Sequence, residues 1–466
     1  MGVGFWKPGG PLLLMLPNLT ALLLLAGTFL ILNWPPVSVK TTAVKINRGG
    51  LQYERLEKSK NCARPCLDGA KPKECYFKFR LEPHLIGDRE YSKCSGNDTT
   101  CNNHQCVIAD GFKRVMIAVN GQLPGTPIQV CEDDVVVIDV ENHLQGFETS
   151  IHWHGQLQHG TPYMDGAPMI TQCPIESNTR FRYKFRASNP GTHFYHSHYV
   201  SHHADGIFGP FIVRQTRTHD PHSKMYDDDL DDHVVTIAPW SHSLLTFNMD
   251  LQDDSNISSL LINGKGNFHS VETQSKTEAP KTEFTVKWGR RYRFRIINAA
   301  SIDCPVQLKV EKHNLTIIAA DGAAVKPIIT SHLILHPGER YDVVVHAKEK
   351  VSTYWIQVRG RHKCKHIHQE GLLVYQEAKT QESSTQSSLS DLTSSMLQEC
   401  SDIIQENCHT PDLRSLGKKQ YAELMNIQAE KKIYIPYDVY TYEQLDDNNI
   451  NFNFTLDELP YYPTYL

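Results

Sequence analysis

Short apolar runs separated by turn residues dominate the middle of the chain. Val115-Met116-Ile117-Ala118-Val119 and Val135-Val136-Val137-Ile138-Asp139-Val140 are rich in β-branched side chains, and Asn120-Gly121 and Pro124-Gly125 are turn signals between them. The same texture returns in Phe284-Thr285-Val286, in Tyr292–Ile297 and in Arg340–Val345. None of these runs carries a helical period, so the pattern predicts an all-β protein built from sandwiches or barrels. The first β domain is expected to close near Phe211-Ile212-Val213-Arg214. Two polar stretches interrupt the strands. The acidic run Asp227–Asp232 reads as a solvated loop, and the Ser/Thr/Gln-rich stretch Gln381–Ser395 as an exposed flexible linker.

The N-terminus follows another pattern. Lys7 is the only charge ahead of an apolar stretch from Leu12 to Leu32, broken by Pro17-Asn18. Leu19–Leu32 is long enough for a signal-peptide core and short for a membrane span unless Leu12–Leu16 joins it. A cleaved signal peptide and an uncleaved signal-anchor both remain open, and either places the bulk of the chain outside the cytosol. The sequons at Asn97, Asn256, Asn314 and Asn453 then become candidate glycosylation sites.

The 466 residues allow roughly three domains at about 150 residues each. A net charge of −5 with no basic block argues against a nucleic-acid partner. Six of the twelve cysteines fall between Cys62 and Cys106. Their spacing lacks the paired short knuckles of a zinc site, so they read as a disulfide-stapled segment in an oxidising compartment. Six cysteines leave its connectivity open.

Chemistry enters with two histidine pairs, His152 and His154 in Ile-His-Trp-His-Gly, and His196 and His198 in Phe-Tyr-His-Ser-His. On a strand the i, i+2 spacing puts both rings of a pair on one face, so two such strands could hold a cluster of metal ions. Imidazole suits zinc, copper, iron and nickel alike. His193 faces away from His196 on an ideal strand and reads as a packed residue. His143, His159, His202 and His203 read as exposed loop histidines.

The context of the pairs narrows the choice. Asn142-His143, Asp165-Gly166, Thr171-Gln172-Cys173-Pro174, Gly191-Thr192 and Asp205-Gly206-Ile207-Phe208-Gly209-Pro210 together resemble the first cupredoxin domain of the multicopper oxidases, in particular the arthropod laccases. Ile262-Asn263-Gly264-Lys265-Gly266, Asn298-Ala299 and Pro337–Asp342 resemble the family's second domain, which binds no copper. Lys431–Tyr437 and Asn449–Thr455 resemble the start of the third. The resemblance implies tandem cupredoxin-like Greek-key sandwiches, two complete and a third begun. The implied division is a signal peptide or signal-anchor at 1–35, a Cys-rich segment at 36–106, and the first cupredoxin domain with a copper half-site at 107–216. An acidic linker at 217–232, the second domain at 233–378, a linker at 379–430 and the start of the third domain at 431–466 follow. It further implies an extracellular or membrane-tethered oxidoreductase. Such an enzyme takes single electrons from a diphenol or similar reductant and reduces dioxygen to water; ferroxidase activity is a variant. His152 would bind a type 2 copper, and His154, His196 and His198 a type 3 pair.

One half of the family pattern does not occur. The motifs His-Pro-x-His-x-His and His-Cys-His-x3-His, which complete the trinuclear cluster and form the type 1 site, are missing. The nearest look-alike, His362-Lys363-Cys364-Lys365-His366-Ile367-His368, flanks its cysteine with lysines, which a cationic metal disfavours. Cys364 reads instead as the disulfide partner of Cys304. Cys131, Cys173, Cys400 and Cys408 carry no assignment. A non-catalytic extracellular copper-binding or interaction protein is the competing class. The expectation for purified 1–466 protein is no phenol oxidation and no intense blue colour. Either signal, in an oxygen-uptake assay or a visible spectrum, contradicts it.

Overall fold

The computed structural model describes residues 62–86, 107–246, 257–269, 276–277, 279–380 and 413–416, all within one compact unit, Lys58–Leu466. Outside the described residues lie the expected signal segment, Cys94, Cys101, Cys106, Cys400 and Cys408, the sequons at Asn97, Asn256 and Asn453, the Gln381–Ser395 linker and the third-domain start.

The first sandwich uses β1 (Glu74–Leu85), β2 (Val115–Val119), β3 (Ile128–Cys131), β4 (Val135–Asn142), β5 (Ile151–His154), β6 (Arg180–Arg186), β7 (Gly191–Ser197) and β8 (Phe208–Arg214). One sheet runs β2-β1-β4-β6 and the other β3-β8-β7-β5. Phe79, Leu81, Ile138, Trp153, Tyr183, Tyr195 and Phe211 fill the space between them. Among the described residues the only α-helix is the single turn α1 (Val200–Ala204), directly after β7.

The second sandwich contains β9 (Val234–Trp240), β10 (Ser259–Ile262), β11 (Glu283–Val286), β12 (Arg291–Asn298), β13 (Val306–Val310), β14 (Leu315–Ala320), β15 (Ala323–Thr330), β16 (Leu333–Leu335), β17 (Arg340–His346), β18 (Thr353–Gly360) and β19 (His368–Tyr375). Its sheets are β10-β9-β12-β17-β14-β15 and β11-β19-β18-β13-β16. A disulfide between Cys304 and Cys364, sixty residues apart, staples it; in the chain-entropy account a loop of that size contributes about 4 kcal/mol.

Two sequence expectations need correction. The segment before Val107 is not a separate lead-in as far as it is described. β1 lies inside the first sheet, parallel to β4 with Phe79 opposite Val140, and antiparallel to β2. Its residues alternate buried and exposed through Cys75, Phe77, Phe79 and Leu81, the period-two signature of a half-buried strand. The disulfides Cys62–Cys75 and Cys66–Cys131 bind the segment into the sandwich, so the cysteine cluster pairs partly outside itself.

The acidic run is the second correction. Asp227 pairs with Arg291, Asp228 with Arg290, and Asp229 with Arg295 and Arg214. The network continues inward, where Arg293 and Arg295 both reach the buried Asp342, which also accepts a hydrogen bond from Thr192 of β7. Local sequence does not show these pairings, because Arg290, Arg291 and Arg295 lie more than sixty residues from their aspartates and Arg214 belongs to the preceding sandwich. Burial by itself would raise the Asp229 carboxyl, but the charge and hydrogen bonds of Arg295, with Arg293 and Arg214, carry it well below the usual range. Burial likewise opposes, and Arg293 and Arg295 outweigh, at Asp342. The ion network thus links the two sandwiches alongside an apolar seam of Phe194, Phe208 and Ile212 against Val234, Ala238, Ile297 and Ala299.

Arg295→Met takes one of two cations from each of Asp229 and Asp342, which keep Arg214 and Arg293, and is expected to cost up to about 3 kcal/mol in urea unfolding, the lower end for a broken buried pair; a loss below about 1 kcal/mol contradicts the network. The depressed carboxylates set the sign of the acid response. Their contribution is complete above the ordinary aspartate value near 3.8 and fades as pH falls below it, so an unfolding midpoint that holds steady from pH 5 to pH 2 contradicts it.

Candidate metal centre

The pairing of β5 with β7 builds the site. The strands are antiparallel with His152 opposite His196, Trp153 opposite Tyr195 and His154 opposite Phe194. Alternation then separates two functions. Trp153 and Tyr195 point into the core and are fully buried, whereas His152, His154, Phe194 and His196 share the outer face. Tyr195 packs on Phe79 and Trp153, and its hydroxyl donates to the Thr126 carbonyl at 2.9 Å.

The nitrogens of His152, His154 and His196 lie within 4.8 Å of one another. His198 sits past the end of β7 at the exposed rim, its ring centre 5.6 Å from that of His152. All four line a cleft of about 480 Å³ whose far wall is Ala300–Asp303 and Pro337-Gly338 of the second sandwich.

Hydrogen bonds set the tautomers. A carbonyl oxygen only accepts, so His152 Nδ1–H donates to the Asp165 carbonyl at 2.7 Å and His196 Nδ1–H to the Ser197 carbonyl at 2.9 Å. Each ring is left with a lone pair on Nε2. His154 Nδ1 stands 3.4 Å from His196 Nε2, long for a hydrogen bond and suited to two lone pairs facing one cation. Burial drives the His154 imidazole down to about 3, helped by the Arg340 guanidinium, and burial drives His196 to about 3 as well. Burial also lowers His198. Convergent nitrogens, with His154 and His196 kept neutral by burial and with His152 and His196 anchored through the other ring atom, fit a metal such as copper.

Glycine is required at two points around these rings. Gly166, at φ +85°, lies so close to the β5 backbone that a Cβ would fall 1.8 Å from the Ile151 carbonyl oxygen. That approach brings Asp165 up to His152. Gly338, at φ +82°, sits against the His154 ring, with a Cβ position 3.0 Å from Cε1.

The other histidines divide. His193 is buried on the opposite face, its Nε2–H donating to the Asn189 carbonyl at 2.9 Å, with Arg340 nearby across Gly155. His143 is half-buried beside Glu141, and His159 is exposed. His202 and His203, read as exposed loop residues, are instead buried. They lie on α1, which folds back against the sandwiches, a tertiary contact that local sequence does not encode. In the look-alike stretch Cys364 is held in its disulfide, and His362 Nδ1 lies 3.1 Å from an Asp303 carboxylate oxygen. Cys131 is paired, and Cys173 is the free cysteine among the described residues.

Two stretches match family models described as multicopper oxidase, residues 100–218 and residues 231–378, together more than half of the chain. Laccase-3 of Thanatephorus cucumeris is 37% identical over 262 residues, covering 54% of this chain and 44% of the relative. A laccase of Trametes maxima is 36% identical over 253 residues, covering 53% and 49%. Among solved structures, the laccase from Botrytis aclada superposes with a TM-score of 0.52 at 30% identity over 66% of this chain and 53% of that one. Fet3p, described as a multicopper oxidase that functions in iron import, gives 0.55 at 23% identity over 74% and 58%, a likeness of fold. The chain belongs to the multicopper oxidase family, and its two sandwiches are cupredoxin-like domains. It spans about half the length of the curated relatives it matches.

Gly166→Ala is expected to lower stability by about 1–3 kcal/mol, the scale of a non-glycine residue forced into a strained conformation. Thermal unfolding reads this directly, and a variant as stable as the parent contradicts the close approach at Ile151.

Proposed function

We propose that this chain carries the first half of the copper cluster of a laccase-type oxidoreductase, which couples one-electron oxidation of diphenols or related aromatic reductants to reduction of dioxygen to water. The observation that carries this reading is the convergence of His152, His154 and His196 on one cleft, with His198 at its rim, on a scaffold of that family. In this reading His152 holds the type 2 copper, and His154, His196 and His198 contribute to the type 3 pair. Copper, when bound, supplies one-electron redox chemistry and a centre for multi-electron reduction of dioxygen. The chain's residues supply the rest. Burial keeps the His154 and His196 imidazoles unprotonated and available as lone-pair donors near neutral pH. The carbonyls of Asp165 and Ser197 hold two rings in their tautomers, and Phe194 flanks the rings of His154 and His196.

The laccase reading is favoured over the ferroxidase one because the laccases are similar at 36–37% identity, whereas the likeness to Fet3p is one of fold. Three disulfides support a location outside the cytosol, in keeping with the apolar N-terminal stretch as a signal peptide or tether. Among the described residues no helix is long and apolar enough to cross a membrane. Asn314 is exposed and open to glycosylation. A phenolic reductant and dioxygen are the partners this reading requires, with no nucleic acid. The second reading, a copper-binding protein without turnover, keeps the same cleft and requires no third-domain motifs. Sequencing the transcript beyond the Leu466 codon separates the two, since the oxidase reading requires both motifs there.

Copper titration of the purified protein tests the site. Cu(II) is expected to bind with nitrogen hyperfine structure in its electron paramagnetic resonance spectrum. His196→Ala is expected to weaken binding by at least about tenfold, the equivalent of 1.4 kcal/mol, while His159→Ala leaves it unchanged. Equal affinity in His196→Ala and the parent sinks the assignment.

A further inference from the structure

The cleft has a second support that lies outside the histidine pairs. His203, on α1, is buried with 5% of its surface exposed. Its ring lies flat on that of His196, 4.3 Å between centres and 20° between planes. Its Nε2–H donates to the Ala299 carbonyl at 3.0 Å, at the end of β12 in the second sandwich. Ala299 also belongs to the apolar seam with Phe194. Phe194 in turn stacks on His154 at 4.6 Å and on His196 at 5.1 Å.

We propose that His203 is a positioning residue that ties the second sandwich to the metal-binding imidazoles. It is not itself a ligand. Two rings stacked face to face hold their nitrogens side by side, so His203 does not converge with the lone pair of His196. Its Nε2 is committed to Ala299, and the three convergent nitrogens come from His152, His154 and His196.

The helix that carries His203 is anchored at its C-terminal end. The next-but-one residue, Asp205, accepts from the N–H groups of Leu245 and Thr246 at 3.0 and 2.8 Å, again from the second sandwich. A shift of β12 is therefore transmitted through Ala299 and His203 to the plane of His196. On this view a domain that offers no ligand sets the orientation of one. The proposal rests on the copper reading of the cleft.

Two variants divide the role, with Cu(II) as the probe. His203→Phe keeps a ring on His196 and removes the donor to Ala299. His203→Gln keeps an N–H within reach and removes the ring. Copper affinity by chelator competition and the paramagnetic resonance spectrum are read on the full chain, with thermal unfolding to establish that each variant is folded. Loss of an outer partner of a metal-binding histidine costs on the order of tenfold in affinity. That loss is expected in at least one folded variant, with altered hyperfine splitting that general destabilisation does not produce. If His203→Gln does not fold, the conservative Phe variant decides alone. Folded variants with parental affinity and spectrum overturn the role of His203 while leaving the cleft intact. A parent that binds no copper overturns the reading of the cleft and this role with it.

Discussion

The antiparallel register between β5 and β7 is the constraint on which the rest depends. His152 stands opposite His196, and Trp153 opposite Tyr195. Because a strand alternates faces at every residue, this one register buries two large aromatic side chains and gathers the imidazoles on the other face. A slip by one position would send Trp153 into the cleft and the imidazoles into the apolar core. The core therefore enforces the geometry of the site, since Trp153 and Tyr195 pack against Phe79, which β1 brings into the sandwich.

The second sandwich contributes in a different way. It offers no member of the convergent histidine set, yet it forms one wall of the cleft and keeps Arg340 close enough to act electrostatically on His154. Its attachment is both apolar and ionic. The seam around Phe194 excludes water, and the Asp229–Arg295–Asp342 network crosses to Thr192 on the histidine strand itself. A buried ion network is demanding of geometry, because each charge is costly without its partner. The network and the seam thus join the two sandwiches beside the cleft that both of them line.

Neutrality of the imidazoles follows from the same packing. His154 and His196 lose water to the neighbouring sandwich and to Phe194, and burial is the leading cause of their lowered basicity. The remaining ring nitrogen of His152 or His196 is held by a backbone carbonyl, which cannot be lost by substitution of a side chain. Ligand readiness is thus a property of the fold as much as of the residues.

Residue type and spacing made much of this legible. Alternating apolar runs predicted an all-β chain, and two His-x-His pairs with their flanking turns pointed to a metal-binding face because period two is a local property of a strand. The disulfide between Cys304 and Cys364 was also readable. What the sequence could not show were the distant partners. The place of β1 in the first sheet, the pairing of Cys66 with Cys131, the arginines that neutralise the acidic run and the burial of His203 all join residues dozens of positions apart. Local pattern determined which side chains face the same way along a strand. Only the tertiary structure decided which of them meet, because contact and loss of water depend on how separate strands and sandwiches pack.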